Sequence, residues 1–401
     1  MVDPSGAARV TVSGIPSVSF EGDRLVFGNL NSSLTRSYTP LKTLGNSAFA
    51  RVQLCDLHSD LPLTSPLPAM QSGTGVRPEW AEKRLVVIKQ AKKREDGWSE
   101  HTKPRELDVL QAISTHPNII SLYDAFLVPD TNELCLVFEP MEGNLYHLMK
   151  IRNGRTFAGG LIASIFHQMV ASLDHLHSSG YIHRDLKPEN ILVTTTGMFD
   201  YTSTSPLTPP NAPKERDIIC LIKLADLGNA RKTTNTTPYT EYMATRWYRA
   251  PEALLLSPDC STPVDMWGLG TILAELLNLQ PLFPGYDQIN QIHRICNLLG
   301  DPGSTYDAST QNGYRGGGPW PAGVRIAAAM GFQFPKMEPK DIHSWFKQTI
   351  PTSLIDCIGG LLRHDPSARL TSRQCLEHPY LLETLPLNNI PFPSVLGIPV
   401  V

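Results

Sequence analysis

The sequence predicts an α+β protein of two lobes, a small β-rich lobe followed by a larger helical one. Three observations carry this. Short apolar, β-branched runs fill the chain up to about Met141. Beyond it, apolar residues recur at helical spacing. Loop-like stretches rich in Pro, Gly, Ser and Thr interrupt both patterns, and no internal repeat is visible.

Residues 1–37 are rich in Ser, Gly and Asn and read as a partly ordered N-terminal extension. The small lobe, 38–141, carries strand-like runs at 51–55, 85–90 and 134–139 and a helical pattern over about 99–114. Pro62, Pro66, Pro68, Gly73, Gly75 and Pro78 mark 58–82 as a long loop inserted in a hairpin. The large lobe, 142–382, opens with Leu161, Ile165, Met169, Leu173 and Leu176 at helical spacing, stopped at Gly180. Further helices are expected over 264–278, 286–299, 351–363 and 372–378. Residues 194–219, rich in Thr, Ser and Pro between two apolar runs, read as a flexible insertion. Residues 383–401 form a C-terminal tail.

The formal charge of −3 over 401 residues gives no electrostatic case for nucleic-acid binding. The longest apolar run, around 268–279, contains Glu275 and is too short to span a bilayer. The first twelve residues carry Asp3, Pro4 and Gly6, so no signal peptide is read there. The seven cysteines are scattered without C-x-x-C spacing. That pattern fits reduced thiols and neither a zinc site nor a disulfide framework.

Several short motifs bear on chemistry. Val86-Val87-Ile88-Lys89 ends a strand in a lysine, and Glu106 lies on the next helical stretch. His183-Arg184-Asp185-Leu186-Lys187-Pro188-Glu189-Asn190 packs two cations, two carboxylates and an amide into eight residues. Asp226-Leu227-Gly228 follows an apolar run, and Ala250-Pro251-Glu252 comes after it. Phosphoryl transfer requires metal ligands, a cation to orient phosphates and a carboxylate near the attacking hydroxyl. All of these residue types are present, in the order found in protein kinases.

From about Tyr38 to Leu382 the chain therefore resembles a eukaryotic protein kinase, which implies the bilobal kinase fold and the cofactors ATP and Mg2+. The resemblance implies that Glu106 pairs with Lys89, which orients the α- and β-phosphates. It gives Asp185 the substrate hydroxyl, Lys187 the γ-phosphate, and Asn190 and Asp226 the magnesium. Leu44, Gly45, Asn46, Ser47 and Val52 stand where the phosphate-covering loop is expected. Phe138 matches the gatekeeper, and the backbones of Glu139 and Met141 are expected to face adenine. Structural roles fall to Glu252 with Arg369, and to Asp265 beneath the catalytic loop. The loop departs from G-x-G-x-x-G-x-V: only Gly45 remains, with Ser47 and Ala50 in the other glycine places. Glycine there lets backbone amides approach phosphate without a Cβ in the way, so weaker or slower ATP handling is expected.

Within kinases, the stretch Tyr239–Glu252, with Thr240-Glu241-Tyr242 and Thr245-Arg246-Trp247-Tyr248-Arg249, resembles the group of cyclin-dependent and mitogen-activated kinases. Asn144–Lys150, and Trp320-Pro321-Ala322-Gly323 with Met330-Gly331-Phe332-Gln333-Phe334-Pro335, are similar to the male-germ-cell-associated and fungal meiosis-inducing family. So is the 194–219 insertion. The mitogen-activated kinases come next, but the acidic docking stretch expected near their end is missing after His378. The resemblance implies phosphorylation of Thr240 and Tyr242 by an upstream kinase. Arg105, Arg184 and Arg231 would receive the phosphothreonine, and Arg246 and Arg249 the phosphotyrosine. It further implies protein substrates, a monomer, and a place in the cytoplasm or nucleus. Ser205-Pro206 and Thr208-Pro209 have the form of proline-directed phosphosites. The alternative reading is a pseudokinase scaffold whose glycine-poor loop no longer supports turnover.

Overall fold

The computed structural model describes residues 8–12, 18–21, 24–27, 35–47, 50–59, 82–92, 105–128, 131, 133–196, 219–234, 245–257, 260–303 and 316–384. Among these the chain forms two compact units, one of residues up to 142 with 194–196, the other of 143–193 with 219–384.

In the first unit the strands are β1 (Val10–Val12), β2 (Val18–Glu21), β3 (Arg24–Phe27), β4 (Arg36–Asn46), β5 (Ala50–Leu57) and β6 (Leu85–Ala91). Helix α1 (Arg105–Ala112) precedes β7 (Leu122–Val128) and β8 (Glu133–Phe138). Six strands make one sheet in the order β1-β4-β5-β6-β8-β7, and β2 and β3 pair separately. The sheet curls. Arg36 on β4 donates to Asp124 on β7 at 2.6 Å although three strands separate them, and the Tyr38 and Phe126 rings stand 6.4 Å apart. The concave face holds Tyr38, Cys55, Leu57, Val86, Ile88, Phe126, Cys135 and Val137, with Val10 and Val12 of β1 and Tyr123 and Val128 of β7 packed against it. Residues 10–12 thus complete this sheet by pairing with 36–38, within the stretch read as an extension. A Val-Thr-Val run is too short to stand out as a strand from sequence.

The second unit begins with β9 (Gly143–Asn144), α2 (Leu145–Ile151), α3 (Gly159–Ser178), β10 (Tyr181–Ile182), β11 (Ile191–Thr196, its end in the first unit), β12 (Ile219–Leu224) and β13 (Arg231–Lys232). Helices α4 (Pro251–Leu254), α5 (Pro263–Asn278), α6 (Gln288–Leu299), α7 (Pro321–Ala329), α8 (Thr352–Leu361), α9 (Ser372–Leu376) and α10 (Pro379–Thr384) follow. α3 ends where the sequence places its stop, at Gly180 with φ +80°, whose N–H bonds the His177 carbonyl. α5 is buried on all sides, as an apolar helix without a polar stripe must be. Its Gly268 and Gly270 allow close approach: a Cβ would stand 3.2 Å from that of Leu186 and 2.9 Å from that of Leu361, respectively.

The four helices expected in the large lobe form within a few residues of their expected bounds. α4, α7 and α10 add to them, α7 begun by Pro321, whose fixed φ suits a first helical turn. Of the long insertions, 60–81 and 197–218 lie outside the described residues, as do 99–104 of the expected first helix and the 385–401 tail. Residues 194–196 continue β11, and Ile219 already belongs to β12.

Candidate active site

In the first unit, the antiparallel register sets Val52 opposite Lys89, and Lys89 opposite Leu136, so all three share one sheet face. Lys89 Nζ lies 2.7 Å from Glu106 Oε2 on α1, and that carboxylate is buried. Phe138 ends β8 and is buried. Past it, the Glu139 N–H donates to the Ser121 carbonyl at 3.1 Å, and its carboxylate accepts from the Ser121 N–H at 2.7 Å. Leu44, Gly45 and Asn46 finish β4, and Leu44 is exposed. The hairpin turn is closed by its own side chain. Ser47 N–H bonds the Ala50 carbonyl at 2.9 Å, Ala50 N–H bonds Ser47 Oγ at 3.0 Å, and Lys92 Nζ reaches the Ser47 carbonyl at 2.6 Å. A Cβ on Gly45 would meet only Val52 Cβ at 3.9 Å, so packing within the protein does not require glycine there.

In the second unit, the loop from His183 to Asn190 is tied from three directions. Asp265, fully buried on α5, accepts the N–H groups of His183 and Arg184, each at 2.8 Å, and faces His177 Nε2 at 2.9 Å. Burial alone would raise the Asp265 carboxyl, but the His177 and His183 contacts outweigh it and hold it below the usual carboxylate range. Arg184 consequently sits at φ +70°, a left-handed conformation that a non-glycine residue keeps only when its surroundings fix it. His183 Nε2 lies 3.0 Å from the Ala225 carbonyl, and the Ala225 N–H bonds the Asn190 carbonyl at 2.9 Å. The residue before Asp226 is thus pinned to both ends of the loop.

The polar side chains of the loop converge on Asp185. Lys187 Nζ stands 2.8 Å from Asp185 Oδ2, and Asn190 Nδ2 donates to the Asp185 carbonyl at 2.8 Å. Asn229 Nδ2 stands 3.5 Å from the same Oδ2. Asn229 is not among the residues expected from the sequence; its amide directly after Gly228 is the signal that marks it. Because the Asn190 nitrogen is spent on Asp185, its Oδ1 is the atom left for a metal. With the Asp226 carboxylate this is an oxygen donor set, which fits Mg2+. Asp226 itself is left-handed at φ +61°. Leu227, standing where kinases commonly carry Phe, is fully buried, so the apolar requirement of that position is met.

A small open concavity is lined by Arg184, Asp185, Lys187, Thr245, Tyr248 and Arg249, among others. Of the five arginines proposed for phosphate, two thus face one space. Arg231 is close in sequence pairing, opposite Ile182 in the β10–β13 ladder, and donates to the Ala230 carbonyl. Arg246 caps a turn through its carbonyl to the Arg249 N–H. Arg105 opens α1 in the first unit. Thr240 and Tyr242 lie outside the described residues. Glu252 and Arg369 form the expected pair, bidentate at 2.5 and 2.7 Å, buried, with the guanidinium 5.1 Å from the Trp267 ring centre.

The protein kinase domain family matches residues 77–381, and the chain belongs to that family. Within it, the chain resembles the serine/threonine-protein kinase MAK of Homo sapiens, with 36% identity over 299 residues, 74% of this chain and 41% of the relative. It is likewise similar to the serine/threonine-protein kinase ICK of Mus musculus, 33% identical over 356 residues, 88% of this chain and 46% of the relative. Cyclin-dependent kinase F-3 of Oryza sativa subsp. japonica is 36% identical over 299 residues, 74% of this chain and 59% of the relative. The chain spans about half the length of these relatives.

Proposed function

We propose that this chain transfers the γ-phosphate of ATP to serine or threonine hydroxyls of proteins. The observation that carries the proposal is the convergence on Asp185 of Lys187 and Asn190 within a loop fixed by Asp265. Asp185 accepts the hydroxyl proton, and Lys187 beside it offsets charge on the transferring phosphate. Lys89, aligned by Glu106, orients the remaining phosphates. Magnesium, held by Asn190 Oδ1 and Asp226, would supply neutralisation of phosphate charge. The chain's contribution is position and charge, which is what phosphoryl transfer chiefly needs.

Activity depends, in this reading, on phosphorylation of Thr240 and Tyr242, with Arg184 and Arg249 lining one concavity with Asp185. The phosphate group adds roughly −2 charge and finds guanidinium partners there. Radiolabelled ATP with a peptide library tests both steps. Asp185→Asn should lower incorporation by about 100-fold or more. Thr240→Ala with Tyr242→Phe should reduce it severely, and near-full activity of that pair would overturn the activation step. A second reading, a binding scaffold, is favoured by the Ser47–Ala50 contact, in which the amides of both residues already have partners. Equal, background-level incorporation by wild type and Asp185→Asn would support it.

A further inference from the structure

Segment 139–142 has an unusual set of ties. At its start, Glu139 exchanges two hydrogen bonds with Ser121. Pro140 has no N–H to give. At its end, Glu142 Oε2 accepts both the Thr195 N–H and the Thr195 hydroxyl, each at 2.9 Å. Thr194 Oγ1 donates to Met141 Sδ at 3.5 Å. Thr194 and Thr195 are buried, while Met141 and Glu142 are half-buried. Between the two tied ends, the Met141 N–H donates to no group among the described residues.

We propose that Glu142 is a positioning residue for the nucleotide: clamped on Thr195, it holds the Met141 backbone so that its open N–H is presented to the base. The inference rests on the kinase reading above and adds a residue and a partner strand to it. Gly143 follows directly and pairs with Val193 of β11, so the free stretch is the short one between Glu139 and Gly143. Without the clamp, the stretch between Glu139 and the paired Gly143 would keep only the weak Thr194–Met141 sulfur contact, and Met141 would sample several orientations. Binding would then have to order it, which weakens affinity without touching the transfer step. A carboxylate accepting two donors is a strong restraint, since charge-assisted hydrogen bonds exceed neutral ones. The Thr195 hydroxyl and N–H both point to one oxygen, so loss of the hydroxyl loosens the segment and loss of the carboxylate releases it from Thr195.

Steady-state kinetics on the full chain, with ATP varied against a fixed peptide, tests this. Thr195→Val, which loses one charge-assisted bond and keeps the Thr195 N–H, should raise KM for ATP by about tenfold, and Glu142→Ala, which loses both, by at least as much, while kcat falls by much less. Glu142→Gln, which keeps one acceptor oxygen, should recover part of the loss. The double variant should be no worse than the worse single one. Adenosine inhibition should weaken in parallel with KM, whereas inhibition by inorganic tripolyphosphate, which carries no base, should not change. Unchanged KM in both single variants would overturn the inference and leave the kinase reading standing. So would kcat and KM changes that follow a lowered thermal midpoint and are not rescued by Gln. Wild-type protein that binds no ATP would overturn both.

Discussion

On α5, Glu275 is buried and accepts a 2.8 Å hydrogen bond from the Tyr248 hydroxyl. Burial pushes its carboxyl up to about 7, the Glu189 charge adds to the rise, and the Tyr248 bond opposes it. The consequence for stability has a definite sign. Below the ordinary value of 4.5 both folded and unfolded states hold the proton, and nothing is lost. Between 4.5 and about 7 the folded state binds more protons than the unfolded one, so stability falls as pH rises, with the full loss reached above about 7. Glu275→Gln removes the ionisation and keeps an acceptor for Tyr248. Its thermal midpoint should gain on wild type as pH goes from 5 to 8; parallel curves would refute the assignment. The Glu252–Arg369 pair makes a contrasting case, because each partner compensates the other's buried charge. Arg369→Ala should cost about 3–5 kcal/mol in chemical denaturation. The sequence marked Glu252 and Arg369 as partners through the kinase resemblance, but nothing local to Glu275 announced its environment, which is built from residues 27 positions away and more.

At the scale of elements, α5 is the platform of the second unit. Gly268 sits against Leu186, the residue between Asp185 and Lys187, while Gly270 sits against Leu361 and Leu362 beside α8. One methyl at each position separates two functions of the same helix. Gly270→Ala would bring its Cβ to 2.9 Å from Leu361 and should destabilise the protein by about 1–3 kcal/mol, read as a lower unfolding midpoint. Gly268→Ala presses on the catalytic loop, where small displacements are expensive, and should lower kcat by about tenfold or more. α3, α5 and α8 were legible in the sequence because their apolar spacing is local. α7 was not, since its Ala- and Gly-rich run shows little periodicity. β1 was missed because three residues are too few to show a period, and the curl of the sheet was hidden because the Arg36–Asp124 tie spans 88 positions.

For the whole molecule, the proposed chemistry draws Lys89 from one compact unit and Asp226 from the other. If the two serve one reaction, their losses will not add. Lys89→Met and Asp226→Asn should each reduce phosphate transfer to near background, and the double variant should be scarcely lower than either. Independent, multiplying effects would mean that the two residues do not share a transition state. The catalytic loop was readable from eight contiguous residues because its chemistry is short-range. Its foundations, His177 and Asp265, are 88 positions apart, and no short motif displays them together.

The short β1 strand has a practical consequence for anyone shortening this chain. A protein begun at Tyr38 would keep every catalytic motif, yet it would bare the free edge of β4 and uncover apolar surface now shielded by Val10 and Val12. Unpaired strand edges beside apolar surface recruit other chains. Such a fragment should elute as soluble aggregates in size-exclusion chromatography, whereas one that retains residues from Ala8 onward should not.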